Sequence, residues 1–254
     1  MTSARCAVSV TAKTKMQPGF VPAYLLHSIA FRDDKLLLDL LLPEQGRLRA
    51  VARRPGKKQG GRSHWPQFAL LAVQLTGRGE LKTVRALEEQ QPALQFQGDF
   101  LFSAMYLNEL VCRIWPQDVG SDQLFALYQQ SIHALEAAQP HLGLLQPVLR
   151  NFELALLMEL GLPVDLAFDA QQQPLAPEAL YQWQPEAGFI RTGTAVGGQV
   201  ISGSGWLGES LLAIARQQWH DDALRVAKQL SRILLQPLLG NKPLASRALF
   251  HRTS

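Results

Sequence analysis

The side chains best able to do chemistry in this chain crowd into one short stretch, RRPGKKQGGR at residues 53–62. It holds five cations, three glycines and a proline, and no acid. Arginine and lysine at this density suit phosphate groups, and glycine lets a backbone approach an anion closely. If 47–54 is a strand, its period of two sets Arg47, Arg49 and Arg53 on one face and turns Leu48, Ala50 and Ala52 to a core. Three arginines on one face repel one another unless something anionic lies over them. The loop adds Arg54, Lys57, Lys58 and Arg62, the next hairpin turn carries Arg78, and the last strand carries Lys82. Together these nine cations form a candidate surface for tracking a nucleic-acid backbone. Lys82 and Arg85 are three residues apart, hence on opposite strand faces, so one of the two joins that surface. Trp65 and Phe68 flank the loop and offer rings for base stacking, with core packing the plainer reading of both.

Other constellations carry less. GSGWLG at 203–208 fits G-x-G-x-x-G, but a dinucleotide site also needs a βαβ unit and an acid about 20 residues on. Asp221 and Asp222 come too early and the chain runs on into helices, so the stretch reads as a flexible connector. No phosphate loop and no nucleophile elbow occurs. Histidines 27, 64, 133, 141, 220 and 251 are scattered without metal-ligand spacing. The acid pairs 33–34, 88–89 and 221–222 point apart on a strand or helix and read as solvated turns or helix starts. These observations argue against an enzyme and against a cofactor.

Charge is divided along the chain. Residues 1–87 hold 15 Lys and Arg against 5 Asp and Glu, whereas 88–254 hold 10 against 16, within a net charge of only +4. A cationic module followed by a mildly acidic one is the signature of a polyanion-binding surface. With 47% hydrophobic and 18% charged residues, the chain is globular. Cys6 and Cys112 supply neither a disulfide framework nor a zinc motif, which suits a reducing, cytoplasmic compartment. No apolar run is long enough to span a membrane. The first 18 residues read as a flexible basic leader, and Met16 offers a second start.

The elements that must position the cations follow from periodicity. VPAYLLHSIAF (21–31), two strands within 34–54 joined at Pro43 to Gly46, and two within 68–87 joined around Gly77 to Gly79 make five strands. Five short strands in a basic unit predict an OB-type barrel over 19–90, with a small SH3-like barrel as competitor. Helical spacing then takes over at 98–115, 121–137, 146–160 and 221–239, with Ser121 and Asp221 as N-caps. The predicted order is therefore a barrel, a helical domain at 91–162, an irregular insertion at 163–203 containing a hairpin at 180–190, and a second helical part at 204–254.

Five stretches resemble the RecO family of bacterial recombination mediators: LLLDLLLPEQGRLRAVARR (36–54), GRGELKTVRALE (77–88), YLNEL (106–110), LRNFELALLMELG (149–161) and GNKPLASRALF (240–250). The resemblance runs through nearly the whole chain from about Phe20. It implies an α+β multidomain fold, with an OB domain packed on a helical domain that carries a small zinc-ribbon-like insertion. It also implies binding of single- and double-stranded DNA, annealing of complementary strands, work with RecR, docking of the acidic tail of single-strand-binding protein, and assistance to RecA loading. Family DNA contacts map here to Arg47, Arg49, Arg53, Arg54, the 55–62 loop, Arg78 and Lys82. Some relatives hold zinc with four cysteines in the insertion. VDLAFDAQQQPL (164–175) has none, so no metal is expected. The tail site should be an apolar groove in the helical domain with a cation beside it. Two further readings stay open: an OB-type RNA-binding module, and a scaffold whose basic loop holds an acidic tail.

Overall fold

The computed structural model describes residues 19–32, 34–55, 64–196 and 199–250. The leader and the loop cations Lys57, Lys58 and Arg62 lie outside the described residues. Five strands, β1 (Val21–Phe31), β2 (Lys35–Leu42), β3 (Gly46–Arg53), β4 (Leu71–Thr76) and β5 (Leu81–Glu89), close a barrel in the order β1-β2-β3-β5-β4. The pairings are antiparallel except β3 with β5, which is parallel. This is the OB-type barrel that the sequence predicts.

Strand alternation explains why β2 can read as LLLDLLL. Leu36, Leu38, Leu40 and Leu42 fill the barrel with Ala23, Leu25, Leu48 and Ala50. The opposite faces send Tyr24, Leu26 and Leu41 into the core of the helical layer. A strand buried on both sides reads as a continuous apolar run. Each fully buried leucine contributes roughly 1.5–3 kcal/mol, so barrel and helices are joined by a shared core.

That layer is built from α1 (Gly98–Ile114), α2 (Asp122–Ala138) and α3 (Leu142–Glu159). Ser121 caps α2 as expected, its hydroxyl accepting the Leu124 N–H at 2.9 Å. Helix α3 begins four residues before the predicted 146. Its first-turn leucines, Leu142 and Leu144, are exposed, so they break the apolar period that marks the rest.

The insertion forms an antiparallel sheet of β6 (Ala179–Gln184), β7 (Gly188–Val196), β8 (Gln199–Ser202) and β9 (Trp206–Leu207), in the order β8-β7-β6-β9. Strands β6 and β7 are the predicted hairpin. Tyr181 and Phe189 pack it against α4 (Gly208–Ala215) and α5 (Asp221–Leu239), and α6 (Ala245–Phe250) follows. The expected Asp221 cap is replaced by His220, whose Nδ1 accepts the Ala223 N–H at 3.3 Å; Asp221 and Asp222 form the first turn, where acids complement the helix dipole. The G-x-G-x-x-G stretch is a packing device and not a flexible connector. A Cβ on Gly203, Gly205 or Gly208 would collide with the carbonyls of Thr192, Tyr181 and Ala176 respectively. No helix among the described residues is long and apolar enough to cross a membrane.

Candidate nucleic-acid interface

Strand β3 pairs with β2 along its whole length, from Lys35 opposite Arg53 to Leu42 opposite Gly46. With β5 it pairs only from Arg49 to Val51, opposite Leu81 to Thr83. Past that point the strands diverge and leave a groove of about 760 Å³. Val51, Ala52, Val84, Ala86 and Leu87 floor it, and Arg32, Lys35, Arg53, Arg54 and Arg85 surround it. No acid lines it among the described residues. Arg53 is largely exposed, with 86% of its side chain open to solvent, and its carboxylate partner among the described residues, Asp34, stands 3.9 Å away. An exposed pair of this kind is worth little and yields readily to a phosphate.

Two aromatic rings complete the groove. The Trp65 indole N–H donates to the Arg53 carbonyl at 3.1 Å, which fixes the ring beside the end of β3. Phe31 also lines the groove, with the Arg32 guanidinium 5.4 Å from its ring centroid. Phe68 instead is buried against Phe96, edge to face at 5.2 Å, so core packing is the correct reading for it.

The predicted cations separate into groups. Arg53 and Arg54 line the groove. Arg47 and Arg49 share the strand face with Arg53, as the period of two requires, but they already have their anion. Asp39 of β2 lies 3.2 Å from Arg47 and 3.1 Å from Arg49. Arg47 is nearly buried and also donates from Nε to the Trp115 carbonyl at 3.1 Å, tying the barrel to the end of α1. Three mutually repelling arginines awaiting an external anion is therefore not what this face presents. Lys82 turns back onto the Gly77 carbonyl at 3.4 Å, and Arg78 is exposed in the same hairpin, away from the groove lining. Of the Lys82–Arg85 pair, Arg85 is the groove residue. Arg32, in the β1–β2 turn, and Lys35, at the start of β2, were missed by sequence reasoning because FRDDK looks like a neutral solvated turn.

Comparison with known proteins decides the family. The family model described as "Recombination protein O C terminal" matches residues 95–248. A "DNA repair protein RecO" of Pseudomonas putida (strain GB-1) is 42% identical over 237 residues, covering 93% of this chain and 99% of that one. Proteins of the same name from Cellvibrio japonicus (39% over 239 residues, 92% and 98% covered) and Pseudoalteromonas atlantica (38% over 232 residues, 91% and 93% covered) agree.

The chain belongs to the RecO family.

The stretches that carry the RecO resemblance in the helical domain turn out to be tethers that converge. Within YLNEL, Tyr106 donates its hydroxyl to Glu153 at 2.6 Å, and Asn108 joins the Leu26 carbonyl of β1 (2.9 Å) to the Tyr128 hydroxyl (2.6 Å). Glu109 accepts the N–H groups of Ala245 and Ser246 at 2.8 Å and so holds the start of α6. Within LRNFEL, Arg150 and Glu153 form a buried pair at 2.7 Å. Beside them is a pocket of about 220 Å³ shared by Leu149, Phe250 and the cations Arg150, Lys228, Arg232 and Arg247. Burial, with Arg232 and Arg150 nearby, holds Lys228 below the usual lysine value. Among the described residues no cluster of three or more His, Cys, Asp or Glu could hold a metal ion.

Proposed function

We propose that this RecO-family chain is a non-enzymatic DNA-binding mediator of recombinational repair, using the barrel groove to hold single- and double-stranded DNA and to anneal complementary strands. The observation that carries this reading is the groove itself: among the described residues, five cations, no lining acid and two rings on an OB-type barrel. Cations that neutralise phosphates on two strands lower the repulsion opposing their pairing, and rings stack on bases without choosing among them. Annealing then needs no nucleotide hydrolysis. Arg32, Lys35, Arg53, Arg54 and Arg85 form the groove-lining part of the interface, with Lys57, Lys58 and Arg62 of the adjacent loop contributing further charge. Arg49, Arg78 and Lys82 lie outside the groove as secondary phosphate contacts, and Arg47 has a structural role. Action in the bacterial cytoplasm, at the nucleoid, follows from this reading.

The protein partners implied by the resemblance are RecR, single-strand-binding protein and, indirectly, RecA. The pocket beside Arg150 supports the second of these. Among the described residues it joins apolar walls, Leu149 and Phe250, to four cations opposed by one acid, Glu153, the complement of an acidic peptide end carrying apolar side chains. The deciding experiment is annealing of strands coated with single-strand-binding protein, with and without that protein's acidic tail. Tail-dependent annealing is expected. Absence of annealing on bare complementary strands as well would overturn the DNA reading, and tighter binding of RNA than of single-stranded DNA of equal length would replace it with an RNA module.

A further inference from the structure

On the side of the helical domain where the insertion meets α3 and α5 lies a second groove, of about 590 Å³, with a different chemistry. Its apolar surface is offered to solvent: Leu162, Phe168 and Ile233 are 46%, 41% and 46% exposed. Its charged lining among the described residues is acidic, with Asp165 and Glu186 exposed and Asp169 buried beneath them accepting the Gln171 and Gln173 N–H groups, in contrast to the cationic barrel groove and the pocket beside Arg150. The backbone adds to that sign. Helices α3 and α5 both deliver their C-terminal ends here, through Leu157 and Gly161 on one side and Ile233 and Pro237 on the other. Neither helix has a basic residue in its last turn; Arg113 of α1 donates to the Leu239 carbonyl and so compensates the end of α5, which leaves the α3 end as the one whose negative dipole adds to the acidic lining. Pro237 also has no N–H with which to satisfy the Ile233 carbonyl in the helical pattern.

We infer that this groove docks a short amphipathic helix from a partner protein, with apolar side chains inserted between Phe168 and Ile233 and lysines or arginines at the acidic rim and the end of α3. Such a volume lies within the range of roughly 300–1,000 Å³ typical of ligand pockets, and an apolar helix face in an apolar groove is a common recognition mode. A second copy of this chain is the less suitable occupant, because docking one copy's cationic pocket here would bury the apolar rim against polar surface. The inference is independent of the DNA reading.

The probe is a fluorescent synthetic 18-residue peptide with leucine along one helical face and lysine elsewhere, compared with a leucine–glutamine version, by anisotropy on the full chain. Binding of the lysine peptide is expected, with a loss of about tenfold or more on replacing both Phe168 and Ile233 by alanine, since a few desolvated anchors carry most of such an interface. Asp165→Asn with Glu186→Gln should weaken the lysine peptide and leave the glutamine peptide unchanged. Circular dichroism checks that the variants are folded, and DNA annealing by them should be unaltered. Equal binding to the wild-type chain and the Phe168/Ile233 variant overturns the site. Equal binding of the two peptides overturns the charge argument. Concentration-dependent dimerisation that the same variant abolishes would assign the groove to a second copy instead.

Discussion

Asp39 and Arg49 face each other across the β2–β3 hairpin, the carboxylate 3.1 Å from the guanidinium Nε. The same carboxylate reaches Arg47, whose side chain is only 13% exposed and continues to the Trp115 carbonyl. One acid thus converts a face of like charges into a joint between barrel and helices. Replacing Asp39 by alanine leaves Arg47 nearly buried without its anion, at an expected cost of about 3 kcal/mol in urea unfolding. Arg49→Ala, which removes a half-exposed partner, should cost less than about 1 kcal/mol.

Groove cations should govern the salt dependence of DNA binding. If the five groove cations neutralise five phosphates, single-strand affinity should fall with log salt at a slope of about −3.5. Replacing Arg53, Arg54 and Arg85 together by alanine should flatten the slope to about −1.4 and suppress annealing. Replacing Arg78 and Lys82 should change the slope less. A groove variant with an unchanged slope would show that phosphate is bound elsewhere.

The two rings beside the loop should differ in degree. Trp65→Ala should cost about 1–3 kcal/mol in single-strand affinity if a base stacks on the ring, together with a smaller loss of stability, because the half-buried indole also packs against the barrel core. Phe68→Ala should instead cost about 3–5 kcal/mol of stability, because that ring is in the core against Phe96. Titrations and thermal melts on the same two variants test both statements.

Acid should loosen the anchoring of α6. Burial by itself would raise the Glu109 pKa, but hydrogen bonds from Ser246 and Ala245, with Arg113 nearby, hold it below 4.5. A depressed carboxylate contributes stability that is present above its unfolded value and lost as pH falls through the folded one. Melting temperature should therefore drop more steeply below about pH 4.5 in the wild type than in Glu109→Gln. Parallel melts between pH 3 and 7 give the comparison.

Backbone contact between the domains makes another test. A Cβ on Gly120, in the loop before α2, would strike the Glu44 carbonyl in the β2–β3 turn, and one on Gly46 would strike the Val119 carbonyl. Gly120→Ala should therefore destabilise the chain by more than about 1 kcal/mol, whereas Gly143→Ala, which meets nothing in the first turn of α3, should stabilise it by roughly 0.4–1 kcal/mol.

Local pattern by itself determined the barrel, the order of barrel and helices, the 180–190 hairpin and the inward Leu48, Ala50 and Ala52. Each follows from a period of two, a helical period or a turn residue, which need only near neighbours. The Asp39–Arg49 pair was also within reach, since the turn from Pro43 to Gly46 sets the register that opposes them. Tertiary structure alone decided where β3 and β5 part, because the parallel pairing joins residues some thirty positions apart. That divergence set Arg85 in the groove and left Lys82 in the paired stretch, the β1–β2 connection brought in Arg32 and Lys35, and Asp39 with the Trp115 carbonyl held Arg47 in a joint. Charge is written in the sequence, but whether a cation faces a phosphate or an internal carboxylate depends on what the fold sets beside it.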